Sequence, residues 1–379
     1  MADGMDGFDR WLRQQLSATL DDAAGAPRRR LPLPGAPAAR RAHPRRDGFL
    51  AGALTTAVVF GVLWAGTSLA GRHGAPSPSG QAATAAGGVL ATVPLPDPAF
   101  TIAAGEGGVW VPDDRQGTLL RIDPHSARVV AIIPIAARRP VLGAVFDAVA
   151  TSPGAVWVTS VVDDSLLRID PASNRVAQRI ALGMRPTSLA ILGGDVWVTG
   201  SQANRVLRVS VQSGALQSRL DVADPGPISA GAGAVWVVSE HEGVLSRVDP
   251  ATARVTPVFT SAASSDYVVD AVVAGGDGVW VRNLAAQRVE RVDTVAGAVA
   301  ADAAVDGPVA SPPEPFTIAR TADAVWVTIS NALVRVDVRS LQTSRLPLIA
   351  PTGIAAGEDG TLWVATANAD VVHVAPGSG

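Results

Sequence analysis

GVWVPDDRQGTLLRIDPHSARVVAIIP, residues 108–134, contains three short apolar runs, each about the length of a β-strand and separated from the next by turn residues. The first run, GVWV around Trp110, recurs as AVWV around Trp157, DVWV around Trp197, AVWV around Trp236, GVWV around Trp280, AVWV around Trp326 and TLWV around Trp363. Successive tryptophans are 47, 40, 39, 44, 46 and 37 residues apart. A period near forty is the signature of a repeat architecture.

The second run recurs as well. LLRIDP ends at Pro124 and at Pro171, VLRVS at Ser210, LSRVD at Asp249, VERVD at Asp293, LVRVD at Asp337 and VVHVA at Ala375. A third run follows, as in RVVAIIPI from Arg128, and a fourth precedes each tryptophan, as in FTIAAG from Phe100. Four short strands per unit make one blade of a β-propeller. Period-two alternation puts Val109 and Val111 on one face of the sheet and Trp110 on the other. Gly supplies the positive φ of the turns and Asp-Pro a fixed φ.

After Trp363 the chain ends one strand short of a blade. VLATVPL, Val89 to Leu95, lies before the first complete unit and supplies the missing strand. The fold class is therefore all-β, a seven-bladed β-propeller closed by an N-terminal strand, with no open sheet edge in the ring. Trp110, Trp157, Trp197, Trp236, Trp280, Trp326 and Trp363 are read as structural, because seven equivalent positions do not make one active site. Arg121, Arg168, Arg208, Arg247, Arg291 and Arg335, and the Asp two residues later in five of those six units, are assigned pairing or turn-capping roles. In the seventh unit His373 stands for Arg and Ala375 for Asp.

Upstream of the repeats, Gly48 to Gly71 is a 24-residue run without a charge. That length suits a single transmembrane helix. Arg28, Arg29, Arg30, Arg40, Arg41, Arg45 and Arg46 precede it and only Arg72 follows closely, so the bias in positive charge puts the N-terminus in the cytoplasm and the propeller outside. The rival reading is a cleaved leader, with Ser68 and Ala70 at the cleavage site and Arg45-Arg46 as a twin-arginine signal; the run exceeds an ordinary signal core. The domain plan is a cytoplasmic tail over 1–47, a transmembrane helix over 48–71, a flexible linker over 72–88 and the propeller over 89–379. In the tail, Phe8, Trp11, Leu12, Leu16 and Leu20 give an amphipathic helix over about 6–21, a docking element for a cytoplasmic regulator or for the membrane face.

Composition narrows the function. Cysteine is absent, which excludes thiol catalysis, Cys-based zinc sites and iron-sulfur clusters. Residues 72–379 carry 22 Arg against 28 acids, with no basic patch rich in aromatics, so nucleic acid is not an expected partner.

Propeller loops between second and third strands share one face with the connections between blades. The long repeats owe their extra length to three such connections, Ala136 to Phe146, Ser261 to Asp270 and Asp306 to Phe316, and extra length on one face is where repeat proteins bind. The non-repeating polar residues there are candidate contacts for a small ligand, a glycan or a protein: Arg138, Arg139, Arg185, Asp266, Tyr267, Arg282 and Glu314, with Asp113, Asp114, Asp163 and Asp164 nearby. Glu240-His241-Glu242 groups two acids and a titratable base in one tight loop, the residue types of general acid-base catalysis or divalent-metal binding, or of a solvated loop.

The xVWV and RVD consensus over Val89 to Pro376 resembles YVTN and NHL-type seven-bladed propellers, and in particular the virginiamycin B lyase-like group. That resemblance implies a lyase or hydrolase using His241 with Glu240 or Glu242, and magnesium as cofactor; without it, no cofactor is expected. The first seventy residues resemble actinobacterial single-pass regulators of the anti-sigma type, which implies a signalling partner in the cytoplasm. The leading expectation is a membrane-anchored extracytoplasmic binding module, and the alternative is the lyase.

Overall fold

The computed structural model of the chain describes residues 88–136, 148–239, 242–261, 269–276, 278–305 and 317–377. The segments read as cytoplasmic helix 6–21, membrane span 48–71 and most of the linker lie outside these. No helix among the described residues is long and apolar enough to cross a membrane.

Among the described residues, twenty-eight strands form seven four-stranded antiparallel sheets. The first strand, β1 (Gly88–Pro94), stands apart in sequence from its sheet. Blade 1 is β2 (Ala103–Gly105), β3 (Gly108–Asp113), β4 (Thr118–Asp123) and β5 (Arg128–Pro134). Blade 2 is β6 (Val149–Ser152), β7 (Ala155–Ser160), β8 (Ser165–Asp170) and β9 (Arg175–Ala181), and blade 3 is β10 (Ser188–Leu192), β11 (Asp195–Gly200), β12 (Arg205–Ser210) and β13 (Leu216–Asp221). Blade 4 is β14 (Pro225–Gly231), β15 (Ala234–Ser239), β16 (Val244–Val248) and β17 (Val255–Thr260), and blade 5 is β18 (Val269–Gly275), β19 (Gly278–Asn283), β20 (Arg288–Asp293) and β21 (Ala298–Ala304). Blade 6 is β22 (Ile318–Arg320), β23 (Ala324–Ile329), β24 (Ala332–Asp337) and β25 (Thr343–Pro347). Blade 7 is β26 (Pro351–Ala356), β27 (Leu362–Thr366) and β28 (Asp370–Ala375), completed by β1.

The closing strand begins one residue earlier than Val89. It pairs antiparallel with β28, from Gly88 opposite Ala375 to Pro94 opposite Asp370, with a bulge between Val89 and Ala91. Leu95 N donates to Ala369 O at 2.8 Å and extends the pairing past the strand. The buried Thr352 hydroxyl donates to Ala99 O at 2.6 Å, so a side chain also ties blade 7 to the segment leading into blade 1.

The tryptophan strand is the second of each blade and is covered on both faces by the neighbouring sheets. Trp110 packs on Val156 and Val158 of blade 2, while Val109 and Val111 face Trp363 and Ala365 of blade 7. Seven such apolar clusters fill the seven blade-to-blade interfaces. Each indole removes roughly 200 Å² from water, worth about 4–5 kcal/mol as an upper figure. The outermost strands show alternation instead, because one side of each faces solvent.

In blades 1 and 3 the repeated arginine clamps one blade to the next, whereas Arg247 and Arg335 pair with acids of their own blade. The guanidinium carbon of Arg121 lies 4.9 Å from the Trp110 ring centre, and Arg208 lies 5.2 Å from that of Trp197. Arg121 Nη1 reaches across to Pro171 O at 2.7 Å and Asn174 Oδ1 at 2.9 Å, and Arg208 Nη1 reaches Pro250 O at 2.8 Å. The Asp two residues on caps the following turn: Asp123 Oδ1 accepts from the Ser126 amide at 2.8 Å, and Asp337 Oδ1 from Ser340 N at 2.9 Å. Turn bonding holds Asp337 down at about 2.

Candidate functional site

The upper face of the ring carries the turns between second and third strands and the blade-to-blade connections. Two residues after each tryptophan, the second strand approaches this face with a side chain turned toward the next blade. That position holds Pro112, Thr159, Thr199, Val238, Arg282, Thr328 and Ala365. Its threonines stitch the inner ring: Thr199 Oγ1 donates to Gly226 O of the next blade at 2.9 Å, and Thr328 Oγ1 to Thr352 O at 3.3 Å. Small side chains fit because the innermost strands converge here.

Blade 5 breaks the pattern with a charge. Arg282 is only 3% exposed. Its Nη2 lies 2.9 Å from Asp270 Oδ2, and its Nη1 donates to Thr328 O of blade 6 at 3.3 Å. Asp270 is brought there by a bulge: Val269 pairs with Asn283 and Ala271 with Arg282, leaving Asp270 as the extra residue of the innermost strand. Among the described residues nothing donates to the buried Asp270 Oδ1. Burial pushes the Asp270 carboxyl up to about 6, against the pull of the Arg282 guanidinium. Burial likewise draws Arg282 below its ordinary value while Asp270 holds it up. A buried ion pair with one bare carboxylate oxygen contributes little to folding, and it occupies a place that hydroxyl or apolar groups fill in the other blades.

The opposite wall of the same blade is polar too. Asn283 Nδ2 donates to Glu290 Oε1 at 3.1 Å and to Ser261 Oγ at 3.3 Å. Burial raises the Glu290 carboxyl, and Asn283 partly offsets this. On blade 1, Asp113 is buried and its carboxyl is raised mainly by burial, while Asp97 accepts from Arg115 at 3.2 Å and from Gln116 at 2.9 Å. Asp163 in the blade 2 turn accepts from Arg179 at 2.6 Å.

Of the residues singled out in the sequence, the structure brings one into a defined polar site. Arg282 was expected as a contact on the loop face; it lies buried beneath that face, in β19, because its guanidinium is satisfied by Asp270 and a neighbouring carbonyl. Its partner Asp270 was read only as the end of a connection; the bulge that turns it inward leaves no trace in an alternating pattern. Comparing the seven units at the position two after tryptophan does single out Arg282, the one charged residue of that set. Arg185 sits half-buried in the connection between β9 and β10. Arg138, Arg139, Glu240, His241, Asp266, Tyr267 and Glu314 lie outside the described residues. Glu242 is described, at the turn between β15 and β16. Among the described residues no three His, Asp or Glu side chains converge to hold a metal ion.

No family model matches the sequence, and no curated protein does. Solved structures do. A streptogramin B lyase aligns at 17% identity and TM-score 0.63, over 76% of this chain and 97% of that one. The hydrazine synthase of Kuenenia stuttgartiensis aligns at 15% and 0.61, over 74% and 96%. The Pan2 WD40 domain of Neurospora crassa aligns at 12% and 0.57, over 75% and 90%. At such identities what is shared is the architecture, and these proteins differ in what they do. The chain is a seven-bladed β-propeller, a fold that supports a binding or scaffolding module.

Proposed function

We propose that the chain is a membrane-anchored, extracytoplasmic binding module that takes a ligand, glycan or protein on the upper face of its propeller. Residues 48–71 hold it in the membrane with the N-terminus inside, and the helix at 6–21 relays occupancy to a cytoplasmic regulator. The anchor rests on the uncharged run and on the arginines that precede it. The binding face rests on one observation, the Arg282–Asp270 pair set at the upper end of blade 5 where the fold calls for a small side chain. Polar groups kept where packing does not need them are the usual mark of a site.

The test uses the full chain in native membranes, with a photoreactive residue placed at Asp164 or Glu242 on the upper face, or at His125 on the lower. Adducts from the upper positions and none from His125 are expected. Equal labelling from both faces, or none, overturns the assignment. Protease added outside cells digests the propeller if the topology is right and spares it if the topology is inverted. The likeness to a streptogramin B lyase supplies the competing enzyme reading: turnover of streptogramin B that disappears in His241→Ala would replace the binding reading with a lyase.

A further inference from the structure

In blades 1, 2, 3, 5 and 7 the outermost strand carries one extra residue in a bulge, beside the partner of the repeated Arg or, in blade 7, of His373. That residue is Ala177 in blade 2, Gln217 in blade 3 and Ala300 in blade 5, but Val130 in blade 1 and Leu90 in blade 7. All five are exposed, Val130 by 56% and Leu90 by 55%. Two residues beyond Val130, Ile132 is 61% exposed. The same place holds Arg179 in blade 2, bonded to Ile135 O at 2.7 Å and to Asp163 at 2.6 Å, then Arg219 in blade 3 and Asp302, paired with Arg288, in blade 5. Val89 adds a fourth exposed aliphatic beside Leu90. β1 and β5 thus present large apolar side chains where the matching strands present small or polar ones.

The two strands flank one joint, because Val93 of β1 and Val129 of β5 pack on the same apolar cluster between blades 7 and 1. Neither strand carries an acid: β1 has no charge and β5 has only Arg128 at its lower end. Pairing with a further strand is obstructed at both, since each bulge breaks the row of free backbone groups and Pro94 and Pro134 offer no N–H at the upper ends. What covers this rim must therefore take side chains rather than backbone. The chain itself brings such a surface near. Residues 72–87 alone separate the uncharged run 48–71 from Gly88, where β1 begins. As a flexible linker they span about 20–25 Å. A tether of that length sets an effective concentration on the order of millimolar, at which a few aliphatic side chains suffice for contact.

We infer that the rim formed by Val89, Leu90, Val130 and Ile132 is a lipid-contact surface that lays the closing joint of the propeller on the bilayer. The inference rests on the reading of residues 48–71 as a membrane span. The contact is shallow, because an open sheet edge with unpaired N–H and C=O groups stays out of hydrocarbon and remains at headgroup level. Only the bulged aliphatics reach below the headgroups. Neutral lipid serves, since the rim offers one cation and no acid.

The chain has no cysteine, so a fluorophore on a single introduced one reports a single place. The full chain is placed in phosphatidylcholine nanodiscs containing spin-labelled lipid, with the label on Leu90→Cys, Val130→Cys, Gln217→Cys, Ala300→Cys or, inside the span, Phe60→Cys. Quenching at Leu90→Cys and Val130→Cys is expected to exceed that at Gln217→Cys and Ala300→Cys severalfold. Lipid spin-labelled near the headgroup should quench these two more than lipid labelled at the chain end. Adding Ile132→Arg, the residue type blade 2 carries there, together with Val89→Gln should bring both down to the level of Gln217→Cys. If Phe60→Cys is quenched and the rim positions are no different from Gln217→Cys, the rim contact is wrong and the anchor stands. If Phe60→Cys is not quenched, the anchor falls and the rim contact with it. Blue-shifted emission at the rim without lipid quenching means that a protein, a second copy included, covers it, and that also overturns the inference.

Discussion

Arg282 and Asp270 meet at 2.9 Å at the inner end of blade 5, one from the tryptophan strand and one from a bulge in the strand that lines the centre. Taking away Arg282 leaves the Asp270 carboxyl without its counter-charge, so it must take up a proton or stay charged out of water. Arg282→Met is therefore expected to cost about 3–5 kcal/mol in urea denaturation. The pair Arg282→Met with Asp270→Leu should recover most of that loss. If the single variant costs under about 1 kcal/mol, Arg282 is not buried as described.

Asp270 also sets a pH dependence of its own. Its folded value stands at about 6 against an ordinary 3.8, so it contributes stability that is full below 3.8 and is lost as pH rises through about 6. This slope runs opposite to that of His373, whose value burial lowers from 6.5 so that its contribution is lost as pH falls below 6.5, and the two partly mask each other in the wild type. Asp270→Asn should unmask the acid-side loss from the histidine, and His373→Gln should unmask the gain from Asp270. Melting curves of both variants between pH 4 and 8 check this.

Trp236→Ala opens a cavity between blades 4 and 5, where the indole packs on Val279 and Val281. A loss of about 3–5 kcal/mol is expected, measured by chemical denaturation.

Gly231 tests how closely the innermost strands approach. A Cβ there would stand 2.5 Å from Ala274 O, a backbone atom of the next blade that has no room to retreat. Gly231→Ala is expected to destabilise by about 1–3 kcal/mol. The same change at Gly194, where nothing lies within 4 Å of the added carbon, should be close to neutral.

Thr352→Val removes the hydroxyl that donates to Ala99 O and leaves that carbonyl bare inside the joint between blades 7 and 1. About 1–2 kcal/mol of stability should go with it. The loss should fall within the pairing of β1 and β28 when read by hydrogen exchange.

The architecture was readable because it is periodic. Seven tryptophans at a spacing near forty, each followed by an RVD-like strand, specify seven blades, and the strand missing after Trp363 points back to Val89–Leu95. The role of the arginines was only half readable: a pairing role follows from repetition, but stacking on the indole of the same blade and bonding to the turn of the next are facts of three-dimensional closeness. That His373 stands for Arg in the seventh unit is readable, but what the imidazole meets is not. Its partners Asp359 and Thr361 lie 14 and 12 residues away, across a hairpin, and periodic patterning does not register them. Asp270 escaped for a related reason. A bulge adds one residue to a strand and reverses the side its neighbour faces, so alternation read from sequence misplaces that residue.

The pairing of β1 with β28 ties the order of synthesis to the completion of the ring. The first strand of the propeller to leave the ribosome has to wait for residues 370–375, at the far end of the ring in sequence, before its backbone finds a partner. During that interval Val89 and Leu90, half exposed even in the finished ring, sit on an uncharged edge able to recruit the wrong neighbour. A nonsense codon or a protease cut ahead of residue 370 would therefore undo the beginning of the ring as surely as its end.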